Sequence, residues 1–207
     1  MRKIIFFALL ILSCFTIISC SSDNNTPKVM SEETKSTISV IHERTSIRQF
    51  TNQKLTKNQL ETLVKAGMAA PSATNAQPWH FIIVDNPDFL KSIGESIKTS
   101  KAVSEAPAAI LVCGDMRKAK EGWLQQYWIQ DCSAASENIL LAATSMDLGA
   151  VWTSIYPAED RIKIIADILK LPDYIIPLNV IPVGYPKEKK SPMDKWKPEN
   201  VSWNNWE

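Results

Sequence analysis

Residues 70–84 read APSATNAQPWHFIIV. Small and amide side chains from Ser72 to Gln77 lead through Pro78 and Trp79 into an apolar run. Aromatic and β-branched residues make that run a strand over Trp79–Val84. The residues before it predict a loop whose backbone stays reachable, because small side chains do not screen it. Asn75 and Gln77 each carry donor and acceptor groups, which suits the edge of a flat ligand that alternates the two. Taken alone, the same composition also suits a polar loop that closes a helix and starts a strand.

Outward from this stretch the pattern changes period. Thr56–Ala69 predicts a helix with Thr56 as N-cap, Gln59 completing a capping box, and Leu60, Leu63, Val64, Gly67 and Met68 on one face. Ser36–Glu43 predicts a shorter helix. Pro87 to about Lys98 predicts another, with proline in its first turn. Pro107–Cys113 is almost continuously apolar, which predicts a strand covered on both faces. Glu121–Met146 predicts a long helix. Its second half, CSAASENILLAATSM, is small and apolar nearly all round, as in the middle of a core or an interface. AVWTSIY at 150–156 is a short extended segment, and Pro157–Leu169 an amphipathic helix. YIIPLNVIPVGYP at 174–186 is a strand whose Pro177 and Pro182 predict an edge or irregular position. Helices and strands mix without regular βαβ alternation, so the class is α+β.

The 207 residues are 45% hydrophobic, enough for one globular domain with a core. With 23 basic and 22 acidic residues the net charge is +1, which gives no general pull toward nucleic acid. His42 and His80 are the only histidines, and no zinc spacing exists. Cys113 and Cys132 read as buried thiols, with a disulfide between them left open. There is no GxGxxG loop and no nucleophile–base pair, so an enzyme here would rely on a bound cofactor. Trp152, Trp196, Trp203 and Trp206 fall in the last third. They suit packing, or a C-terminal arm anchored on a neighbouring surface.

Two basic patterns stand apart. In ERTSIRQF (43–50), Arg44, Ser46 and Arg48 alternate, and an extended backbone turns them to one side. Two guanidinium forks and a hydroxyl make a phosphate receptor. In DKWKP (194–198), Lys195 and Lys197 repeat the spacing. Either pair alone also suits a solvated helix end or tail; a phosphate between both pairs would neutralise them.

At the N-terminus, Arg2 and Lys3 precede an apolar run, Ile4–Ile18, too short for a confident membrane span and right for a secretory signal. The run ends in IISC, which resembles a bacterial lipobox with Cys20 as the lipidated residue; ILSC, ending at Cys14, fits the same pattern loosely but leaves a short apolar run, and an uncleaved N-terminal anchor is the other reading. The expected organisation is a lipoprotein-type signal peptide over 1–20, a flexible polar tether over 21–35, and a single domain over 36–207. That implies a lipid-anchored protein of the bacterial cell envelope, periplasmic or surface-facing.

Taken in order, four segments resemble the FMN-dependent nitroreductase family: RTSIRQF, APSATNAQPWHFIIV, NILLAATSMDLGAVW, and IPVGYPKEKKSPMDKWKPENVSW. The resemblance covers about Ile38 to Trp203. It implies a nitroreductase-like α+β fold: a mixed, mostly antiparallel sheet flanked by helices, with the long central helix in a dimer core. Arg44, Thr45, Ser46 and Arg48 match positions that hold the FMN phosphate and ribityl chain, and Lys195 and Lys197 match a basic pair reaching the same phosphate. Pro71, Ser72, Ala73, Asn75 and Gln77 match a loop supplied by the other subunit against the flavin ring. Thr153 and Ser154 match the turn that passes the flavin. The resemblance thus implies a homodimer with interfacial FMN sites. Hydride would pass from NAD(P)H through flavin N5 to an electron-poor acceptor, a nitroaromatic or quinone, in ping-pong fashion, with no catalytic side chain assigned. A flavin-binding envelope protein without turnover, or a superfamily relative with another flavin reaction, would share these contacts. The segment GDMRKAKEGW is short where the family shapes its substrate pocket; Trp123 and Tyr127 either line that pocket or pack.

Overall fold

A computed structural model describes residues 36–188 and 190–206; the expected signal peptide, Cys20 and the tether lie outside the described residues. Along the chain come α1 (Thr37–Glu43), α2 (Lys57–Met68), β1 (Trp79–Val84), α3 (Pro87–Ser96), α4 (Lys101–Ser104), β2 (Ala108–Asp115), α5 (Tyr127–Ser145), β3 (Gly149–Ala150), β4 (Thr153–Ser154), α6 (Glu159–Leu169) and β5 (Ile175–Gly184). The strands form one sheet in the order β1-β2-β5-β3, with β4 also on β5. Every strand pair is antiparallel. The parallel contribution is a single bridge, Ser46 to Ala150.

All eight residues of β2 are buried, because helices cover both faces of the sheet. Ala108, Ile110 and Val112 join the cluster that includes α2 and α5, with Leu60, Leu63, Ala135 and Ile139. Ala109, Leu111 and Cys113 join the opposite cluster, with Leu90 and Ile93 of α3 and Ile165 of α6. A strand alternates its side chains between faces, so a continuous apolar run is what burial on both sides requires.

The helix signals act locally as expected. Thr56 caps α2 by accepting from Gln59 N at 3.2 Å, and Gln59 Oε1 accepts from Thr56 N at 2.9 Å. The long helix starts later than the composition suggests: residues 122–126 form a 3-10 turn, and α5 begins at Tyr127. From there α5 touches α1, α2 and the strands β1, β2, β3 and β5.

The two prolines of β5 do not send it to an edge. It lies between β2 and the β3–β4 pair, and its irregularity absorbs the missing donors. Opposite β2 the register jumps from Val112–Asn179 to Cys113–Pro177, leaving Leu178 as an extra bulged residue. On the other side, β3 and β4 keep one register but break between Ala150 and Thr153. That break faces Pro182, which has no N–H to offer.

Cys113 and Cys132 are both free. Their side chains belong to opposite faces of the sheet, and the Cys132 thiol instead donates to the carbonyl of Cys113 at 3.4 Å. Burial pushes the Cys132 thiol up to about 12, with the neighbouring Asp131 adding to it. Burial also raises Cys113, with Cys132 adding.

Candidate functional site

The loop between α2 and β1 has an unusual backbone. Thr74, Asn75 and Gln77 all have positive φ, at 53°, 55° and 48°, and none is glycine. Each left-handed residue with a Cβ costs on the order of 1 kcal/mol, so the surroundings must hold the shape. Four local bonds help: Asn75 N to the Ser72 carbonyl at 3.0 Å, Ala76 N to the Ala73 carbonyl at 3.0 Å, Gln77 N to Ser72 Oγ at 2.9 Å, and Gln77 Nε2 to Asn75 Oδ1 at 2.9 Å. One bond ties the turn to the body: Ala73 N donates to Oδ1 of Asp131 on α5 at 2.8 Å. Asp131 is 6% exposed. Pro71, Asn75 and Gln77 remain exposed, with Ser72 and Ala73 half-buried. The loop therefore offers a firm, polar surface to an incoming group.

The basic segment leaves α1 at Arg44, which closes that helix by bonding its N–H to the Val40 carbonyl. It then runs beside β3, with Ile47 N donating to the Ala150 carbonyl at 3.0 Å. Ile47 is buried, whereas Arg44, Thr45 and Ser46 are half-buried and Arg48 is exposed. Arg44 is not a free cation: its Nε lies 3.4 Å from Oε1 of Glu137 on α5. Asp131 and Glu137 are six residues apart on one helix, roughly 9 Å along its axis. The loop and the basic segment are thus both fastened to α5.

Residues 41–129 and 98–185 match the nitroreductase family profile. The chain belongs to the nitroreductase family. That membership makes it an oxidoreductase enzyme. A candidate NADH dehydrogenase/NAD(P)H nitroreductase of Methanothermobacter thermautotrophicus is 40% identical over 169 residues, which is 82% of this chain and 87% of that protein. The crystal structure of a similarly described protein from Parabacteroides distasonis matches with a TM-score of 0.79 and 44% identity, covering 83% of this chain and 99% of that one. An FMN-dependent nitroreductase from Clostridium difficile matches with a TM-score of 0.75 and 27% identity, covering 82% and 99%.

The other expected site residues of this nitroreductase are distributed less evenly. Ser154 and Thr153 part company. Thr153 is buried and pairs with Val180, which faces the α3–α6 side. Ser154 is exposed, and its Oγ accepts from Trp152 Nε1 at 3.0 Å. Lys195 and Lys197 lie in an exposed tail, and neither lines the groove beside Arg48. Among the described residues, Lys190 shares a groove with Arg48, beside Ile47, Gln49 and Glu188.

Two α5 residues escaped the sequence reading, Asp131 and Glu137. For Asp131 the signal was present: a charged residue buried in an otherwise small and apolar helix needs a partner; Glu137 is exposed and gave no such signal. At the end of β2, Asp115 is buried and held by Arg117, Nε to Oδ1 at 2.9 Å and Nη2 to Oδ2 at 2.7 Å. The Arg117 hydrogen bonds hold this carboxyl below the usual range against the opposing effect of burial. The guanidinium also stacks 3.7 Å from the Tyr174 ring centroid, which fixes the start of the short segment after β2. At that segment's far end Trp123 is 73% exposed and meets Tyr127 edge-on, with ring centroids 5.8 Å apart.

Proposed function

We propose that this nitroreductase uses FMN to take electrons from NAD(P)H and pass them to an electron-poor acceptor such as a nitroaromatic or quinone. It would act as a homodimer with the cofactor at the subunit interface. The observation that carries the reading is the loop Pro71–Gln77: a strained, non-glycine turn, held in place, that exposes two amide side chains. Strain of this kind persists where a site needs a preset surface.

The donor set suits a phosphorylated flavin. Arg44, Ser46 and Arg48 supply two guanidinium forks and a hydroxyl for a phosphate. Asn75 and Gln77 supply donors and acceptors for a ring edge. Arg44 would share its charge between Glu137 and the phosphate. Ser46 would add a hydroxyl bond, and Thr45 a second near the ribityl chain. Pro71, Ser72 and Ala73 would keep water from one side of the ring. Ser154, exposed at the end of β4, is better disposed to reach a ligand by side chain than buried Thr153. When bound, FMN supplies the two-electron carrier between nicotinamide and acceptor; the side chains bind and orient.

Surfaces left uncovered in the single chain support the dimer. Ser133, Ala134 and Leu141 of α5 are half-buried and Glu137 is exposed, a stripe along one side of the helix in which two of the four residues are small. Ile38 and Ile41 of α1 are 64% and 46% exposed, and Trp196, Trp203 and Trp206 of the tail are 69%, 84% and 94% exposed. Apolar area on this scale favours a partner surface. A second copy would let the tail bring Lys195 and Lys197 to a phosphate held by Arg44 and Arg48. We also propose that the mature chain is tethered to the envelope through lipid on Cys20, on the strength of the Arg2–Cys20 pattern. Gel filtration of the mature chain with FMN, monitored at the flavin band, tests the reading. Flavin co-eluting with a dimer, one per chain, is expected; a monomer with no bound flavin refutes it.

A further inference from the structure

We propose that Asp131 is the positioning residue that presets the loop Pro71–Gln77, an inference that rests on the flavin reading above. The loop must hold Thr74, Asn75 and Gln77 in left-handed conformations. Its bonds from Gln77 to Ser72 and Asn75 are internal; they shape the turn without fixing it to the body. The Asp131 carboxylate does that, accepting the N–H of Ala73, the first residue of the turn, across 58 positions of sequence. A carboxylate accepting a backbone N–H makes a charge-assisted bond, stronger than a neutral one. Low exposure strengthens it further, because little water competes.

The anchor is itself held. The next residue, Cys132, donates to the Cys113 carbonyl at 3.4 Å, and Ser136 accepts from Asn179 Nδ2 at 2.8 Å. Both bonds fix the register of α5 against the sheet. The loop's position is therefore dictated by the sheet through α5, and Asp131 is the link. It touches no substrate in this account; it acts through Ala73.

Two substitutions remove the bond from opposite ends. Asp131→Ala deletes the acceptor. Ala73→Pro deletes the donor, and proline suits the first position of such a turn. Ser72 before it is already extended, at φ −140° and ψ 153°, as a residue preceding proline must be. Asp131→Asn keeps an acceptor oxygen. The readouts are amide hydrogen exchange in the flavin-free mature chain and FMN titration of the same proteins. We expect the Asn75, Ala76 and Gln77 amides to exchange at least about tenfold faster in Asp131→Ala and Ala73→Pro, and the FMN Kd to rise by a similar factor. Amides in the middle of α5 should not change, and Asp131→Asn should stay within about threefold of the wild type. The double variant should be no worse than the worse single one, since both remove one bond. Wild-type exchange and wild-type Kd in Ala73→Pro overturn the proposal, even if Asp131→Ala fails to fold. Asp131→Asn as damaged as Asp131→Ala overturns it too. A wild-type chain that binds no FMN refutes the flavin reading instead, and loop exchange alone then decides on the anchor.

Discussion

Arg44 is committed before any ligand arrives. It is half-buried with Glu137 3.4 Å away, so the proposed phosphate would share a positioned guanidinium. Loss of that fork in Arg44→Ala removes a charge-assisted interaction of about 1.5–3 kcal/mol. FMN affinity should fall about tenfold or more by equilibrium titration. Lys197→Ala should weaken FMN in the same direction. Unchanged affinity in both variants would remove the phosphate assignment. Asp115 makes a different kind of prediction, one about stability. Its carboxyl titrates below the ordinary range, so the native state gains stability from it above about pH 3.9. That gain is lost as pH falls through the lowered native value. Urea midpoints for Asp115→Asn should lie below wild type at pH 7, and the gap should close as the pH drops below about 4. A gap that stays constant down to pH 3 would contradict the assignment. At this scale the sequence revealed residue types and spacing, such as Arg44, Ser46 and Arg48. It did not reveal partners: Asp131 and Ala73 are 58 positions apart, and only the packing of α5 joins them.

Among the elements, those with one dominant local cause were legible. Thr56 and Gln59 cap α2 as their spacing requires, and the apolar run of β2 is buried on both faces. A single residue left tertiary position open. Proline in β5 predicted an edge or an irregular strand, and the second holds: the strand is internal, and a bulge at Leu178 and a break opposite Pro182 absorb the missing donors. Composition also ran the long helix back to Glu121, because a 3-10 turn with Trp123 and Leu124 looks as apolar as a helix. Packing on β2 is tight enough to test. A Cβ added at Gly114 would sit 2.5 Å from Cε3 of Trp128, and Trp128 is itself wedged edge-on against Tyr156 at 5.0 Å. Gly114→Ala should therefore destabilise the fold by about 1–3 kcal/mol in urea unfolding, the usual cost of overpacking. No change in midpoint would mean that the Trp128 contact is looser than described.

For the whole molecule, the single chain explains its core but leaves surface unexplained. The tail carries Met193, Trp196, Trp203 and Trp206, all more than two-thirds exposed, beside the two lysines assigned to the cofactor phosphate. The second subunit proposed above would account for both. Truncation after Tyr185 should then lower FMN affinity and shift the dimer toward monomer in sedimentation; a truncated chain that remains a fully flavinylated dimer would contradict the arm's role. No helix among the described residues is long and apolar enough to cross a membrane, so the proposed envelope tether rests on the N-terminal pattern alone. The proposed electron path runs from nicotinamide to acceptor by way of a bound flavin. It is tested most directly by the visible spectrum of the FMN-loaded protein under anaerobic conditions, followed through additions of NADH or NADPH and then a quinone. A yellow protein that bleaches with the nicotinamide and recovers its colour with the quinone is expected. Colour that persists through excess of both nicotinamides would contradict it.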